Sequence, residues 1–497
     1  MKMIKRILYG SMFLCAIAAN VFAQRITAAS IFGDNMVLQQ GINVPVWGTA
    51  KPNQSLVVSF SGNSIATQSD ENGKWLIKLP KMKAGGPLKM TISSAEDSLI
   101  FKYVLIGEVW LASGQSNMQM KLSEVNNAQK EISEAKFNKI RFFNVALNIS
   151  NKPLEKVNGS WKLCNPDNAK QFSAAAYFFA RDLHLDQNVP VGIISSSWGA
   201  TPSEAWTSSE SLINHPDFKD SVKRYQKLEE NWELLYRDFL KNAEIARNAN
   251  NTIKVPALPK EKNYPTALYN AMIAPLVPYG IKGVIWYQGE NNAPRATQYR
   301  SLFPLLINDW RGKWGNEKLP FLFVQLANFR ERNTEPVFAD SWALLREAQT
   351  MALKLPNTGM AVTIDIGDAK DIHPKNKQDV GKRLYLAASH MAYKKPIVYS
   401  GPLYEAMSIK NNKIEISFKH IGEGLKCNGN TLTSFEIAGT DKKFYWADAE
   451  IVGNKIVLTS KDVQKPVAAR YAWSSNPAAN LFNKEGLPAV PFRTDNW

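Results

Sequence analysis

Four short segments gather residue types that could do chemistry. The first is Glu108-Val109-Trp110-Leu111-Ala112-Ser113-Gly114-Gln115-Ser116-Asn117-Met118. A serine that follows a glycine turn just past an apolar strand can hold its hydroxyl at a sheet edge, as a nucleophile on a strand-to-helix turn does. The GxSxG pattern is absent, because Asn117 and Met118 follow Ser116. Taken alone, Gly-Gln-Ser reads first as an ordinary polar turn. The second segment, Ser195-Ser196-Ser197-Trp198-Gly199-Ala200-Thr201, has a glycine through which a backbone N–H can approach a ligand. Such an N–H can donate to a developing oxyanion; the same residues also read as a capped helix start. The third, Trp286-Tyr287-Gln288-Gly289-Glu290-Asn291-Asn292, bunches amides and a carboxylate after an apolar run. A Gln amide can donate to an oxyanion and a Glu can hold a neighbour in place, although Asn-rich turns also bond locally.

The fourth segment is Asp365-Ile366-Gly367-Asp368-Ala369-Lys370-Asp371-Ile372-His373-Pro374. The chain has five histidines, at 184, 215, 373, 390 and 420, and only His373 has several carboxylates close by in sequence. A base for Ser116 is most simply a histidine held in one tautomer by a carboxylate. The order along the chain is then Ser116, Asp371, His373. The alternative is a cation site from Asp365, Asp368, Asp371 and His373, but no EF-hand-like glycine and terminal Glu follow.

These turns need a scaffold that brings them together. Ligands of open α/β sheets bind beyond the carboxyl ends of the strands. Strand-length apolar runs occur at Val104–Ala112, Val191–Ser195, Gly283–Tyr287, Phe321–Leu326 and Met360–Ile366. Helical patterns fall between them at Ala174–Leu185, Tyr299–Trp310 and Asp340–Leu355. That alternation predicts a mostly parallel sheet with helices on both faces. Residues 24–100 and 401–497 instead show short alternating runs broken by turns such as Lys51-Pro52-Asn53 and Asn428-Gly429-Asn430, the pattern of small sandwiches. The expected organisation is a β-domain over 24–100, an α/β domain over 101–400 and a β-domain over 401–497. Residues 208–265 form a charged helical excursion, a lid or packing arm. Trp47, Trp75, Trp446 and Trp473 are expected in cores.

The 497 residues, 45% hydrophobic and 21% charged, suit a multidomain globular chain and exclude wholesale disorder. Net charge is +16, but no run of five like charges occurs. Scattered charge of this kind argues against nucleic-acid binding and leaves a bias towards anionic ligands. Residues 1–23 begin with Lys2, Lys5 and Arg6, continue through an apolar stretch from Ile7 to Ala19, and end in Val21-Phe22-Ala23. This reads as a cleaved export leader, with the apolar stretch short of the about 20 residues a span needs. A soluble periplasmic or extracellular protein is expected, with no membrane insertion. Loss of Cys15 with the leader leaves Cys164 and Cys427, expected as two buried free thiols. No Cys/His cluster has zinc spacing.

Together the motifs resemble the sialate O-acetylesterases and related SGNH-type carbohydrate esterases. The resemblance is carried by Asp34-Asn35-Met36-Val37-Leu38-Gln39, Gly107-Glu108-Val109-Trp110 leading to Gly114-Gln115-Ser116-Asn117-Met118, and Ser197-Trp198-Gly199-Ala200-Thr201. It continues through Leu268-Tyr269-Asn270-Ala271-Met272-Ile273, Trp286-Tyr287-Gln288-Gly289-Glu290 and Ile372-His373-Pro374. It implies a flavodoxin-like SGNH hydrolase domain flanked by β-sandwich-like domains, acting on an O-acetylated carbohydrate without cofactor or metal. O-acetylated sialic acid is the implied substrate; acetylated xylan is the alternative, and a non-catalytic glycan-binding protein a more distant one. Ser116 is the implied nucleophile and His373 the base. Ser116 N–H, Gly199 N–H and the Gln288 amide are the implied oxyanion hole, with Glu290 and Asn291 in support. One departure stands out: many SGNH enzymes place the triad Asp three residues before His, where this chain has Lys370. Asp371 is the expected orienting group, with Asp368, Asp365, Glu290 or a backbone carbonyl as rivals. Arg295 reads as a solvated loop residue or, less simply, a contact for a substrate carboxylate.

Overall fold

The five apolar runs, with a sixth segment that the pattern did not mark (Phe137–Asn144), become the parallel strands that position the site: β1 (Ser98–Gly114), β2 (Phe137–Asn144), β3 (Val191–Ser197), β4 (Gly283–Tyr287), β5 (Phe321–Val324) and β6 (Thr358–Ala361). They are seen in a computed structural model that describes residues 25–249, 255–256 and 261–497. The expected leader and Cys15 lie outside the described residues. The spatial order is β2-β3-β1-β4-β5-β6, and every neighbouring pair is parallel. Trp161–Cys164 adds an antiparallel strand outside β2. Strands β3 to β6 are buried along their whole length, which explains their continuous apolar sequence: both faces of a parallel sheet are covered.

The covering layers can be read residue by residue. Side chains alternate between faces along a strand. Val284, Trp286, Phe321 and Phe323 join a core with residues of α4 (Ala296–Lys313) and α5 (Ser341–Met351). Their neighbours Ile285, Tyr287, Leu322 and Val324 join a second core with α2 (Ala174–Gln187) and α6 (Lys377–Met391). The sheet therefore carries helices on both faces, as the alternating pattern predicts. Helix α2 starts where Ser173 Oγ accepts from Ala176 N–H at 3.3 Å and ends at Asn188 in the left-handed region, φ 52°.

Antiparallel sheets occupy both ends of the chain. Near the N-terminus, Val44–Thr49 pairs with Thr27–Ala28 and Lys74–Leu79, and Ser55–Phe60 pairs with Asn63–Gln68 and Gly85–Ser93. The boundary expected after residue 100 falls inside β1. The first half of that strand pairs antiparallel with Gly85–Ser93 and is only partly buried; the second half is buried throughout. The change in sequence pattern marks a change of surroundings along one strand rather than its end. At the other end, Leu403–Lys410, Lys413–Lys419, Lys455–Thr459 and Asp448–Val452 form one four-stranded sheet. Phe444–Trp446, Phe435–Ala438, Ala468–Tyr471 and Phe492–Arg493 form another. The buried Arg346 of α5 donates to Ser474 O and Ser475 O, tying this end to the central layers.

The excursion holds Ser209–Ile213 and the long α3 (Lys219–Asn248). Phe218, Val222 and Tyr225 pack into the main core, while Leu234, Leu235, Leu240 and Ile245 are exposed. Trp75 and Trp473 are buried as expected. Trp446 is not: it lies on an edge strand, is 40% exposed, and donates its indole N–H to Thr334 O. Trp47 is half-buried. Both cysteines are free among the described residues, but Cys427 is only half-buried. Burial raises the Cys164 thiol to about 12, so it stays protonated.

Candidate active site

Strand register assembles the site. Gly114, the last residue of β1, stands opposite Ser197 of β3 and Tyr287 of β4. The turns that follow these strands, carrying Ser116, Gly199 and Gln288, therefore leave the sheet at one level. Gln115 N–H donates to Tyr287 O, and Trp198 N–H donates to Gly114 O. Gly114 has φ +137°, and a Cβ there would lie 2.1 Å from Tyr287 O; only glycine lets the chain turn off the strand here. Ser116 opens the short helix α1 (Ser116–Gln119). Its N–H is one of the first-turn donors that a helix leaves without an internal partner.

His373 arrives from the loop after β6. Its Nε2 lies 2.9 Å from Ser116 Oγ. Its Nδ1 lies 3.3 Å from Asp371 Oδ1, and the same carboxylate oxygen accepts the His373 backbone N–H at 2.9 Å. A carboxylate that bonds the N–H two residues on forms an Asx turn, which is how an Asp at this closer spacing still faces the ring. The rivals point elsewhere. Asp365 forms a two-pronged pair with Arg383, at 2.6 and 2.7 Å, and Asp368 accepts the Lys370 N–H. Among the described residues no three His, Cys, Asp or Glu side chains group as a metal site would require.

The Ser116–His373 pair opens on a cleft of about 590 Å³, shared with Gln119, Lys121, Glu124 and Lys375. Gly199 abuts the nucleophile: a Cβ on it would lie 3.2 Å from Ser116 Cβ. Its N–H is bonded to Gln119 Oε1 at 2.8 Å, so a carbonyl-type oxygen already sits where an oxyanion would be received. Lys262 donates to Gly199 O at 2.7 Å.

Gln288 is not brought to Ser116 as a donor. Its two amide N–H groups go to Thr201 O at 3.2 Å and Asn292 Oδ1 at 2.7 Å. Its Oε1 accepts from Ser203 Oγ at 2.6 Å and Tyr299 OH at 2.9 Å. All four hydrogen-bonding positions of the amide are thus used inside a fully buried cluster. The cluster fixes the Gly199–Trp206 segment against the β4 turn. Asn292 Nδ2 and Arg295 both bond Glu204, at 2.9 and 2.5 Å; the Arg295 side chain is still 46% exposed, so it is solvated as expected while also pairing with that cluster. Asn291 is exposed; its backbone N–H reaches Gln115 Oε1 at 3.4 Å.

Glu290 is joined to the Ser116 turn through Asn117, a residue that sequence pattern left without a role. Asn117 Nδ2 donates to Glu290 Oε1 at 2.6 Å and to Ile372 O at 3.1 Å. Asn117 Oδ1 accepts from Lys377 Nζ at 2.7 Å. Burial raises the Glu290 carboxyl above its ordinary range, against the pull of Asn117, Lys377 and His373. Burial lowers Lys377 to about 7, against Glu290 and Asp371. Lys377 had one faint sequence signal: a lysine at the start of a helical pattern, where a cation opposes the helix dipole.

A hydroxyl bonded to an imidazole at the carboxyl edge of a parallel sheet is the constellation of acyl-transfer hydrolases. Residues 251–390 match the family described as carbohydrate esterase, sialic acid-specific acetylesterase. The chain is 30% identical to the sialate O-acetylesterase of Mus musculus, with 93% of each chain covered. It is 29% identical to that of Homo sapiens, with 93% of this chain and 91% of that one covered. A solved structure described as a novel carbohydrate acetylesterase from Xanthomonas citri superposes with a TM-score of 0.83 at 39% identity, covering 95% of this chain and all of that one. The chain belongs to the sialate O-acetylesterase family.

Proposed function

We propose that the protein is an exported serine esterase that removes O-acetyl groups from glycans, with O-acetylated sialic acid as its substrate. The bond between Ser116 Oγ and His373 Nε2 carries this reading; family membership supports the ester chemistry and the sugar. His373 Nε2 takes the hydroxyl proton as Ser116 Oγ attacks the acetyl carbonyl. The carbonyl oxygen displaces Gln119 Oε1 from Gly199 N–H and receives Ser116 N–H as well. Asp371 holds the ring with Nδ1–H facing its carboxylate and stabilises the imidazolium. The bond to the sugar oxygen then breaks, and His373 returns the proton to the departing hydroxyl. Water, activated by His373, attacks acetyl-Ser116; acetate leaves and the serine regains its proton. Lys121 and Lys375 border the cleft and supply positive potential for a substrate carboxylate.

With the outer strand β2 set aside, the order β3-β1-β4-β5-β6 is second-first-third-fourth-fifth along the chain, which supports a flavodoxin-like SGNH domain. In this reading sandwich-like β-domains flank it, over residues 24–100 and 401–497, and β1 is shared with the first. The leader over residues 1–23 directs the protein to the periplasm or beyond.

The test is acetate release by the mature protein from p-nitrophenyl acetate, O-acetylated sialic acid and acetylated xylan side by side, with Ser116→Ala as control. Serine-dependent release that is fastest on the sialate supports the proposal. Faster release from xylan moves the substrate to plant polysaccharide, and no release from any of the three leaves a glycan-binding protein.

A further inference from the structure

Two backbone carbonyls flank His373, and both are held from below. Ile372 O accepts from Asn117 Nδ2 at 3.1 Å, and Pro374 O accepts from Lys377 Nζ at 2.6 Å. The two donors are joined to each other by the 2.7 Å bond from Lys377 Nζ to Asn117 Oδ1. Asn117 is the residue after the nucleophile. One lysine–carboxamide unit therefore connects the Ser116 turn to both sides of the His373 peptide, and Glu290 closes it from the β4 turn.

We propose that Lys377 is a positioning residue for the reaction, acting through Asn117 and the carbonyls of Ile372 and Pro374 to hold the His373 imidazole against Ser116. Local structure gives no other reason for a lysine here. Its side chain is fully buried, at the first position of α6. Burial and the helix dipole both disfavour its charge, and burial lowers its pKa from the ordinary 10.5 to about 7. Chains depart from such local rules chiefly where function requires it. The compensation is specific: three donor directions of the ammonium meet Asn117 Oδ1, Pro374 O and the face of the Tyr287 ring, whose centre is 5.3 Å away. The charged groups that share the surroundings of His373 with Lys377 are Asp371 and Glu290, with Lys121, Glu124 and Lys375 across the cleft.

The inference rests on Ser116 and His373 being the reacting pair, and the Ser116→Ala control separates the two ideas: activity in that variant removes the reading of the site, whatever Lys377 does. With that control inactive, Lys377→Met is compared with the parent for kcat and KM on p-nitrophenyl acetate, beside its melting temperature. A small displacement of a reacting group costs about 10²-fold in rate. The expected result is a kcat lowered about 10²-fold with KM within threefold. A lysine that only stabilises the fold would change the melting temperature and leave kcat per folded molecule in place. Should Lys377→Met not fold, Asn117→Ala decides by the same kcat criterion. A kcat within twofold of the parent in the folded variant overturns the proposal.

Discussion

Two buried polar clusters lie side by side beneath the turns of this sheet, and they are built on opposite principles. Around Gln288 every amide position is matched, and the charge of Glu204 is answered by Arg295. Around Lys377 the groups are charged and incompletely matched: Glu290 Oε2 has no hydrogen-bond partner among the described residues, and both ionisable groups are pushed towards neutrality by burial. The first arrangement braces a turn. The second places ionisable groups whose charge burial disfavours beside the reacting pair. A buried polar residue near a catalytic serine is therefore not read by proximity alone; the state of its hydrogen bonds separates scaffold from site.

The contrast is sharpest at the exposed end of the charged side. Asp371→Asn leaves the Asx turn possible but removes the carboxylate that fixes the His373 tautomer. Turnover should fall by about 10⁴-fold with the melting temperature little changed, and acetate-release kinetics beside a thermal melt check both. The reverse pattern is expected of Gln288→Leu. It leaves Ser203, Tyr299, Asn292 and Thr201 O short of partners, at about 1–3 kcal/mol for each buried group left unpaired. Denaturant unfolding should show a loss of roughly 3 kcal/mol or more, with kcat per folded molecule within about fivefold of the parent. A Gln288→Leu protein of full stability whose kcat drops by about 10²–10³, as when an oxyanion donor is lost, would erase the distinction. Gln119→Ala removes the oxygen that occupies Gly199 N–H. We expect KM to fall by about twofold to fivefold with kcat nearly unchanged, since a neutral hydrogen bond displaced by substrate is worth about 1 kcal/mol; a rise in KM would mean that Gln119 binds substrate instead.

The last effect is a slope in stability rather than a change in rate. Lys377 titrates near 7 when folded and at its ordinary 10.5 when unfolded. Between those values the unfolded chain binds the extra proton, so the unfolding free energy should rise with pH across that window. In Lys377→Met the rise should flatten, which denaturant titrations at pH 7 and 10 would detect.

Much of this was legible in the sequence. Strand β4 has the bounds its apolar run implies, and Ser116, His373 and Asp371 meet as their residue types suggest. Legibility failed where a role depends on what lies across the fold. Gln288 follows a strand at the expected level, yet its amide turns inward because Ser203 and Asn292 offer it a complete set of partners. Lys377 was missed because a lysine opening a helix reads as surface until Asn117, 260 positions away, is seen to receive it. Trp446 was misplaced because an edge strand cannot be told from an inner one by its own three residues.

Strand β1 carries one further consequence. Its 17 residues reach over roughly 55 Å at most, but they are not one straight run. Tyr103 sits in the left-handed region, φ 58°, and the register against Gly85–Ser93 shifts there. Such a bulge takes up an extra residue on one strand, so it separates the register of the half zipped to the N-terminal strands from that of the half that sets the level of the nucleophile turn. The joint is an expansion gap: amide exchange along residues 98–114 should show the first half opening without the second.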